Sequence, residues 1–341
     1  MVEQSTIEDV ARAAGVSAAT VSRALRGLER VHPATRERVL SAAADLDYIA
    51  SPTAASLASG RTGVVGVVTP FMSRWFFAKA ISAIEKTMRV HGHHVLLMDL
   101  EDESYERRLP LSRAMLFKRV DAVVVVNVAL SDIERSLVEG LRLPVVTVGN
   151  AIADWPWVGI DDVGCGAAAT EHVISLGHRA VAFIGAVPAG SPHGRTPVRR
   201  VEGFRQAMAR HRLPVPPGWV VPADWTADGA QRSARSLFTA GTFPTAVVAG
   251  SDEMALGVIA AAGEQGLRVP HDLAVIGIDD HELAAVLGLT TVRQDVMAQG
   301  ATAAAIILGR LGYLDEQPAD TVAFPVELVV RRTTAAPADP R

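Results

Sequence analysis

From residue 63 onward the sequence alternates short, wholly apolar runs with amphipathic segments. A first series of runs reads GVVGVVTP, HHVLLMDL, DAVVVVNV and LPVVTVGN, and a second reads AVAFIGA, GWVVPA, PTAVVAG and DLAVIGID. Strands that are apolar on both faces are buried on both faces, and helices between them supply the cover, as in parallel sheets. The pattern therefore predicts two open α/β lobes in tandem, followed by a helix, MAQGATAAAIILGRL, and a final strand, FPVELVVR.

Residues 6–26 instead show the spacing of short helices. Thr6 and Asp9 form a capping-box pattern at the start of a helix, Gly15 ends that helix, and Ser17 can cap a second one after a turn of about three residues. Two short helices joined this tightly predict a helix-turn-helix over residues 6–26. In such a unit the second helix lies in the major groove of DNA. Its exposed positions are Ala18, Ala19, Thr20, Ser22 and Arg23.

A third helix and a short linker helix follow. Pro33 is placed to start the third helix, whose apolar residues Val39, Leu40, Ala43 and Leu46 are predicted to close a small core that ends near Tyr48. The segment 51–60, SPTAASLASG, predicts a two-turn helix. A helix this short is unstable alone, so we expect it to need a partner helix or DNA.

Composition limits the class of protein. The 341 residues are 49% hydrophobic and 21% charged, which is typical of a compact globular chain. A net charge of −4 argues against a protein that coats nucleic acid non-specifically, and residues 1–61 balance seven Arg against seven acidic residues. No secretory signal or membrane-length apolar run is seen, so we expect a cytoplasmic protein. The single cysteine, Cys165, excludes a disulfide framework and predicts a buried thiol.

An enzymatic function is tested by one motif. Residues 164–169, GCGAAA, match G-x-G-x-x-A, but the next strand ends without the acidic residue that binds a dinucleotide ribose. His172 and His178 lie nearby without a third metal ligand and at a spacing that does not face one helix side. We therefore expect no catalysis, no cofactor and no metal.

The motifs together resemble a known family. The stretches TIEDVARAAGVSAATVSRALRG, TRERVLSAAADLDYI and SPTAASLASGRTGVVGVV, with the later GHR, EGF and GIDD, are similar to the lactose-repressor/galactose-repressor family of bacterial regulators. The resemblance implies a periplasmic-binding-protein-like core in which the chain crosses three times between two lobes. It implies a DNA-binding domain over 1–48, a hinge over 49–61 and an effector-binding and dimerisation core over 62–341. We expect lobe one at about 62–160 and 293–320, and lobe two at about 161–292 and 321–335.

The resemblance also implies which residues contact DNA. In the family the hinge helices of a dimer pair in the minor groove, where a leucine wedges between bases, and Leu57 matches that residue. Arg23 carries most of the direct readout of bases, because Ala18 and Ala19 offer only methyl groups. The complete set of expected DNA-binding residues is Thr6, Ser17, Ala18, Ala19, Thr20, Ser22, Arg23, Thr35, Tyr48, Leu57 and Ala58.

Two approaches predict the effector site. Open parallel sheets bind ligands beyond the carboxyl ends of their strands. These ends hold residues 69–71, 161–162, 223–225, 251–252 and 279–280, with two aromatic residues opening the next helix. By resemblance, the expected effector contacts are Phe76, Phe77, Asp161, Arg200, Trp225, Ser251, Asp279 and Gln294.

Several alternatives stay open at these positions. Asp162 and Asp252 are equally suited to cap the helices that follow them, and the two phenylalanines to pack in the core. Arg74-Trp75 replaces the Asn-Pro of many family members and is placed for a ligand or dimer contact.

The expected function is that of a homodimeric transcription regulator. Its partners are a near-palindromic operator and a small-molecule effector, a sugar being favoured, whose binding releases the repressor from DNA. A corepressor of purine type and a secreted solute-binding protein are the alternatives. The tail after Arg331 has no heptads, so no coiled-coil tetramer is expected.

Overall fold

The computed structural model describes residues 5–25, 31–48, 60–100, 109–187, 195–239 and 243–338. The chain divides into two compact units, Met1–Gly63 and Val64–Arg341. In the described residues no helix is long and apolar enough to cross a membrane.

The first unit is a three-helix domain. Its helices are α1 (Ile7–Ala14), α2 (Ala18–Leu25) and α3 (Pro33–Asp45). The predicted capping box is confirmed, because the Thr6 hydroxyl accepts from the Asp9 amide and the Asp9 carboxylate accepts from the Thr6 amide. Gly15 ends α1 with a φ of 64°, a conformation that glycine adopts without strain. The Ser17 Oγ accepts from the Thr20 amide at 3.2 Å, so Ser17 caps α2 as predicted.

A small apolar core joins these three helices. Val10, Val21 and Val39 each come from a different helix and are fully buried. Leu40, which we expected in this core, is 48% exposed, and Ala42 is buried instead. The prediction was wrong because the buried face of α3 follows Val39, Ala42 and Ala43 at helical spacing. The predicted hinge helix, with Leu57 and Ala58, lies outside the described residues.

The second unit begins with a doubly covered sheet. Its elements are β1 (Val64–Thr69), α4 (Trp75–Val90), β2 (His94–Asp99), α5 (Arg113–Leu116), β3 (Ala122–Val126), α6 (Asp132–Gly140), β4 (Val145–Val148) and β5 (Trp157–Ile160). A second series follows: α7 (Asp162–Ser175), β6 (Val181–Ala186), α8 (Arg195–Arg210), β7 (Val220–Pro222), α9 (Ala227–Phe238), β8 (Ala246–Ala249), α10 (Asp252–Glu264), β9 (Ala274–Asp279), α11 (Glu282–Leu287) and β10 (Thr290–Arg293). The chain ends with α12 (Val296–Leu311), β11 (Thr321–Phe324) and β12 (Glu327–Val329).

These strands form two six-stranded sheets. The first has the order β11-β5-β4-β3-β1-β2 and is parallel throughout, with Val65 beside Ala122. The second has the order β12-β10-β9-β8-β6-β7 and is parallel except for β12 against β10. The predicted fold class is thus confirmed, with two parallel-sheet lobes.

The end of the chain corrects one predicted boundary. Residues 321–324 were expected in lobe two, but β11 pairs with β5 of the first sheet, where Val322 faces Val158. The predicted single strand FPVELVVR was also wrong, because Pro325 lies between β11 and β12, which join different sheets. Proline has no N–H to donate and so interrupts a ladder. The chain therefore crosses between the lobes three times, after β5, after β10 and between β11 and β12.

Two buried histidines attach the C-terminal segment to the second lobe. The His172 Nε2 lies 2.9 Å from the Thr334 hydroxyl, and the His178 Nε2 lies 2.8 Å from the Ala335 carbonyl oxygen. Burial lowers the pKa of both imidazoles below the ordinary value of 6.5. Each imidazole ring therefore binds the C-terminal segment in its neutral form.

The contribution of these two histidines to stability is expected to fall as the pH drops below about 6.5. The unfolded chain binds protons on these two histidines more readily than the folded chain does, so acid favours unfolding. Between about pH 7.5 and about pH 5.5 the two histidines should lower the melting temperature by a few degrees. Asp252, whose pKa burial raises to about 7, acts in the opposite sense, so the test compares variants. On this change of pH, the melting temperature of a His178→Gln variant should gain relative to that of the native protein, whereas that of His94→Gln, at an exposed histidine, should not. An equal pH dependence in His178→Gln would contradict this account.

Candidate functional site

A cavity lies between the carboxyl ends of the two sheets. The cavity has a volume of about 60 Å³, counted as room for the centres of water-sized atoms. Its lining comes from both lobes and consists of Arg74, Phe76, Phe77, Asn127, Gly149, Ile160, Asp162, Thr196, Arg200, Trp225, Ser251, Glu253, Asp279, Gln294 and Gln299. The mixture of aromatic and polar groups suits a small polar ligand.

A buried guanidinium forms the polar centre of this cavity. Arg200 is 3% exposed, and its Nε donates to the Asp162 Oδ1 at 2.9 Å. Its Nη1 donates to the Gly250 carbonyl at 2.6 Å and lies 3.5 Å from the Asp279 Oδ1. Burial disfavours the charge of Arg200, but the two carboxylates outweigh burial and raise its pKa. The cation is therefore fixed in position and in charge.

Close contact between two helices places Arg200. A side chain at Gly166 on α7 would bring its Cβ to 2.1 Å from the Arg200 carbonyl oxygen on α8. At Gly203 a Cβ would lie 2.0 Å from the Val163 carbonyl oxygen. The helices can approach this closely only because both positions lack a Cβ. The G-x-G-x-x-A match therefore lies inside a helix and serves packing, with Cys165 buried in the same contact.

Asp161 and Asp162 have different roles, since one caps a helix and the other lines the cavity. Asp161 caps α7 by accepting from the Val163 amide at 3.1 Å, and its exposed carboxylate meets Arg199 at 3.3 Å. The cavity lining includes Asp162 and not Asp161, the residue expected to contact the effector. The reason is the cap itself, which turns the Asp161 side chain toward the helix start. Asp162 is therefore no cap, contrary to the alternative left open by the sequence.

Ser251 and Asp252 show the reverse arrangement, since here the capping residue is the one that lines the cavity. Ser251 caps α10 through the Met254 amide and lines the cavity as predicted. Asp252 instead accepts from the Thr291 hydroxyl at 2.6 Å and from the His281 amide at 2.8 Å. Burial and the nearby Asp279 raise the pKa of Asp252 to about 7.

Aromatic side chains form the apolar wall. Phe76 and Phe77 open α4 and pack edge to face, with ring centroids 5.4 Å apart. Trp225 has a φ of 61°, and its Nε1 donates to the Gly185 carbonyl at 3.0 Å. The Trp225 ring lies 5.7 Å from the Arg200 guanidinium carbon. Phe77 is 5% exposed and belongs to the core cluster, so the core alternative also holds for it.

A chain of amides completes the site. The Gln294 Nε2 donates to the Asp279 Oδ1 at 2.7 Å, and the Gln299 Nε2 donates to the Gln294 Oε1 at 2.9 Å. Burial raises the pKa of Asp279, and Arg200 opposes that change. Arg74, which the sequence placed for a ligand or dimer contact, also lines the cavity. The lining residues that the sequence did not name are Asn127, Gly149, Ile160, Thr196, Glu253 and Gln299. Asn127 follows β3, so the strand-end rule could have found it, whereas Gln299 lies inside α12 and gives no such signal.

The lobes also meet beside the cavity. Trp75 of lobe one donates its indole N–H to Glu282 of lobe two, and its ring lies 5.3 Å from the His281 ring. Lys79 pairs with the same carboxylate at 3.1 Å. Arg74 lines the cavity, so the unusual Arg74-Trp75 pair contributes one ligand-facing residue and one contact between lobes.

The first unit presents a separate surface. Ala19 and Arg23 are exposed and lie four residues apart, so they share one face of α2. Thr6, Ser17 and Thr20 are engaged in the helix caps described above or beside them, with the Ser17 and Thr20 hydroxyls 2.9 Å apart. Ala18 and Tyr48 pack against the small core, while Ser22 and Thr35 are half-buried.

Known proteins share both parts of this chain. Residues 6–51 match the bacterial regulatory proteins of the lacI family, and residues 170–334 match the periplasmic binding protein-like domain. Catabolite control protein A of Priestia megaterium is 33% identical over 339 residues, covering 96% of this chain and 99% of that protein. The HTH-type transcriptional repressor PurR of Klebsiella pneumoniae (strain 342) is 34% identical over 337 residues, covering 97% of each.

Solved structures agree with these sequence matches. The Lac repressor dimer bound to operator and the anti-inducer ONPF has a TM-score of 0.82 at 28% identity, covering 98% of this chain and 100% of that chain. The complex of the transcriptional regulator CelR with cellobiose has a TM-score of 0.69 at 27% identity, covering 96% and 99%. The relatives are transcription regulators, and their likeness extends over the helix-turn-helix and both lobes. On this evidence the chain belongs to the lacI family of bacterial regulatory proteins.

Proposed function

We propose that this DNA-binding regulator is a homodimeric repressor, which a sugar bound in the cavity between its lobes releases from a near-palindromic operator. The observation that carries the proposal is the joining of a helix-turn-helix unit to a two-lobed core with a polar, aromatic-walled cavity. A secreted solute-binding protein would have no use for the helix-turn-helix. The Lac repressor structure is a dimer on its operator, and the CelR structure holds cellobiose.

We assign residues 1–48 to DNA binding, 49–61 to the hinge and 62–341 to the effector-binding and dimerisation core. The proposed effector contacts are Phe76, Phe77, Asp162, Arg200, Trp225, Ser251, Asp279 and Gln294. The proposed DNA contacts remain those inferred from the sequence, with Leu57 as the minor-groove wedge.

The proposed mechanism is a change in lobe closure that alters the spacing of the paired hinges. Hinge helices that no longer pair lose their structure, Leu57 leaves the groove and affinity falls. Because this is thermodynamic coupling, operator DNA must weaken effector binding by the same factor.

The second candidate function has the opposite effect of the ligand, which then tightens operator binding. In this alternative a purine-like ligand acts as a corepressor, and the Phe76 and Trp225 rings offer a surface for a planar base. Operator binding titrated with sugars and with purine bases decides between them. Release by a sugar supports the proposal, whereas tighter binding caused by a purine favours the corepressor.

Arg23→Ala is expected to weaken operator binding by roughly tenfold to a hundredfold and to relax the preference at one base pair. The operator is first selected from random DNA with the full-length protein, and affinity is then measured by mobility shift. Arg12→Ala is the matched control, since Arg12 is an exposed α1 residue paired with Asp9 at 2.9 Å. Equal losses in the two variants would show that Arg23 contributes only non-specific charge.

A further inference from the structure

One buried side chain in the cavity has an oxygen with no partner. Gln299 lies on α12 and is fully buried, yet its Oε1 accepts no hydrogen bond in the structure. A buried acceptor without a donor costs free energy, so such atoms mark a place that a ligand or water completes. The Asn127 Oδ1 is a second acceptor of this kind in the same lining.

The neighbouring side chains of Asp279 and Gln294 fix the orientation of the Gln299 amide. Asp279 is a carboxylate beside the Arg200 cation, so it accepts and the Gln294 Nε2 must donate to it. The Gln294 Oε1 is then the acceptor for the Gln299 Nε2. The Gln299 Oε1 is therefore the atom of this amide that has no hydrogen-bond partner. The orientation of the amide follows from the charge of Asp279.

The charges of the lining oppose an anionic ligand. Asp162, Glu253 and Asp279 supply three carboxyl groups, against the two guanidinium groups of Arg74 and Arg200. The Nε and Nη1 of Arg200 already serve protein oxygens. A phosphate here would meet more carboxyl groups than guanidinium groups, and two of the three Arg200 nitrogens already donate to protein oxygens, so binding should favour a neutral molecule.

We propose that Gln299 is a specificity-determining residue, whose Oε1 accepts a hydrogen bond from one hydroxyl of a neutral, unphosphorylated sugar. This inference rests on the proposed function, because it takes the cavity to be the effector site. Gln299 and Asn127 then require donors from the ligand, which sugar hydroxyls supply.

The test uses the full-length protein and two steps. Thermal shift first compares glucose, galactose, ribose and cellobiose with glucose 6-phosphate, ribose 5-phosphate and hypoxanthine, each at about 10 mM. The sugar that binds is then compared by calorimetry with its monodeoxy analogues, in the native protein and in Gln299→Leu. We expect the phosphate ester to bind at least tenfold more weakly than its parent sugar.

For the native protein, one deoxy analogue should bind about tenfold more weakly than the parent sugar. For Gln299→Leu, the same analogue and the parent sugar should bind equally well. A merely structural role would instead lower the affinity for every analogue alike, and that result would overturn the proposal. So would binding of the phosphate ester as tightly as the parent, or no shift with any neutral sugar. If Gln299→Leu fails to fold, the deoxy series on the native protein still decides, since equal affinity for all analogues refutes the hydroxyl contact.

Operator release separates this failure from that of the proposed function. A phosphate ester or hypoxanthine that dissociates the operator complex would refute the inference about Gln299 and leave effector control intact. If the native protein bound no operator DNA at all, the proposed function itself would be refuted.

Discussion

Arg200→Met is expected to lower the free energy of unfolding by about 3–5 kcal/mol and to abolish the effector response. The substitution removes the cation and leaves the buried carboxylates of Asp162 and Asp279 facing each other without it. Breaking one side of a buried ion pair is costly because the remaining charge stays in a medium of low polarity. Thermal melts and effector titration of the operator complex measure the two effects.

The adjacent residue provides a matched control. Arg199 is exposed and pairs with Asp161 at 3.3 Å at the surface, so Arg199→Met should cost less than about 1 kcal/mol. The loss in free energy of unfolding caused by Arg200→Met should also become smaller as the pH falls from about 7.5 to about 5. Burial already raises the pKa of Asp279, and its protonation removes the unpaired charge. Equal melting temperatures for the two arginine variants would contradict the role given to the Asp162–Arg200–Asp279 cluster.

Gly166→Ala is expected to cost about 3 kcal/mol or more and to weaken the effector response. The new Cβ would lie 2.1 Å from the Arg200 carbonyl oxygen, which is backbone and cannot rotate away. The helices α7 and α8 must separate, and Arg200 would move with its helix. Thermal unfolding and the effector concentration for half release of the operator test both consequences.

Gly263→Ala is the matched control for this substitution. Gly263 lies in α10, and a Cβ there meets no atom within 4 Å. Alanine should therefore stabilise that helix by up to about 1 kcal/mol, since it costs less backbone entropy than glycine. A Gly166→Ala variant as stable as Gly263→Ala would show that the helices have room for a methyl group.

Much of the fold follows from local sequence patterns. The Thr6 and Asp9 capping box, the Gly15 turn and the Ser17 cap depend on neighbours in the chain, so the helix-turn-helix could be predicted residue by residue. The apolar strands predicted two parallel-sheet lobes for a similar reason, because burial on both faces requires an unbroken apolar run. The strand-end rule located three of the cavity's polar residues, Asp162, Ser251 and Asp279, and the Trp225 ring.

Tertiary packing decided what these patterns could not. Whether Asp161 or Asp162 faces the cavity depends on which carboxylate caps α7 and which meets Arg200, 38 residues away. The sheet that receives residues 321–324 depends on pairing with β5, far back in the chain. Gln299 looks like any polar residue in a helix until α12 places it in the cavity beside Gln294. Caps and strand burial act over a few residues and can be read from the sequence, whereas ion pairs and unpartnered acceptors depend on residues that only the folded chain brings together.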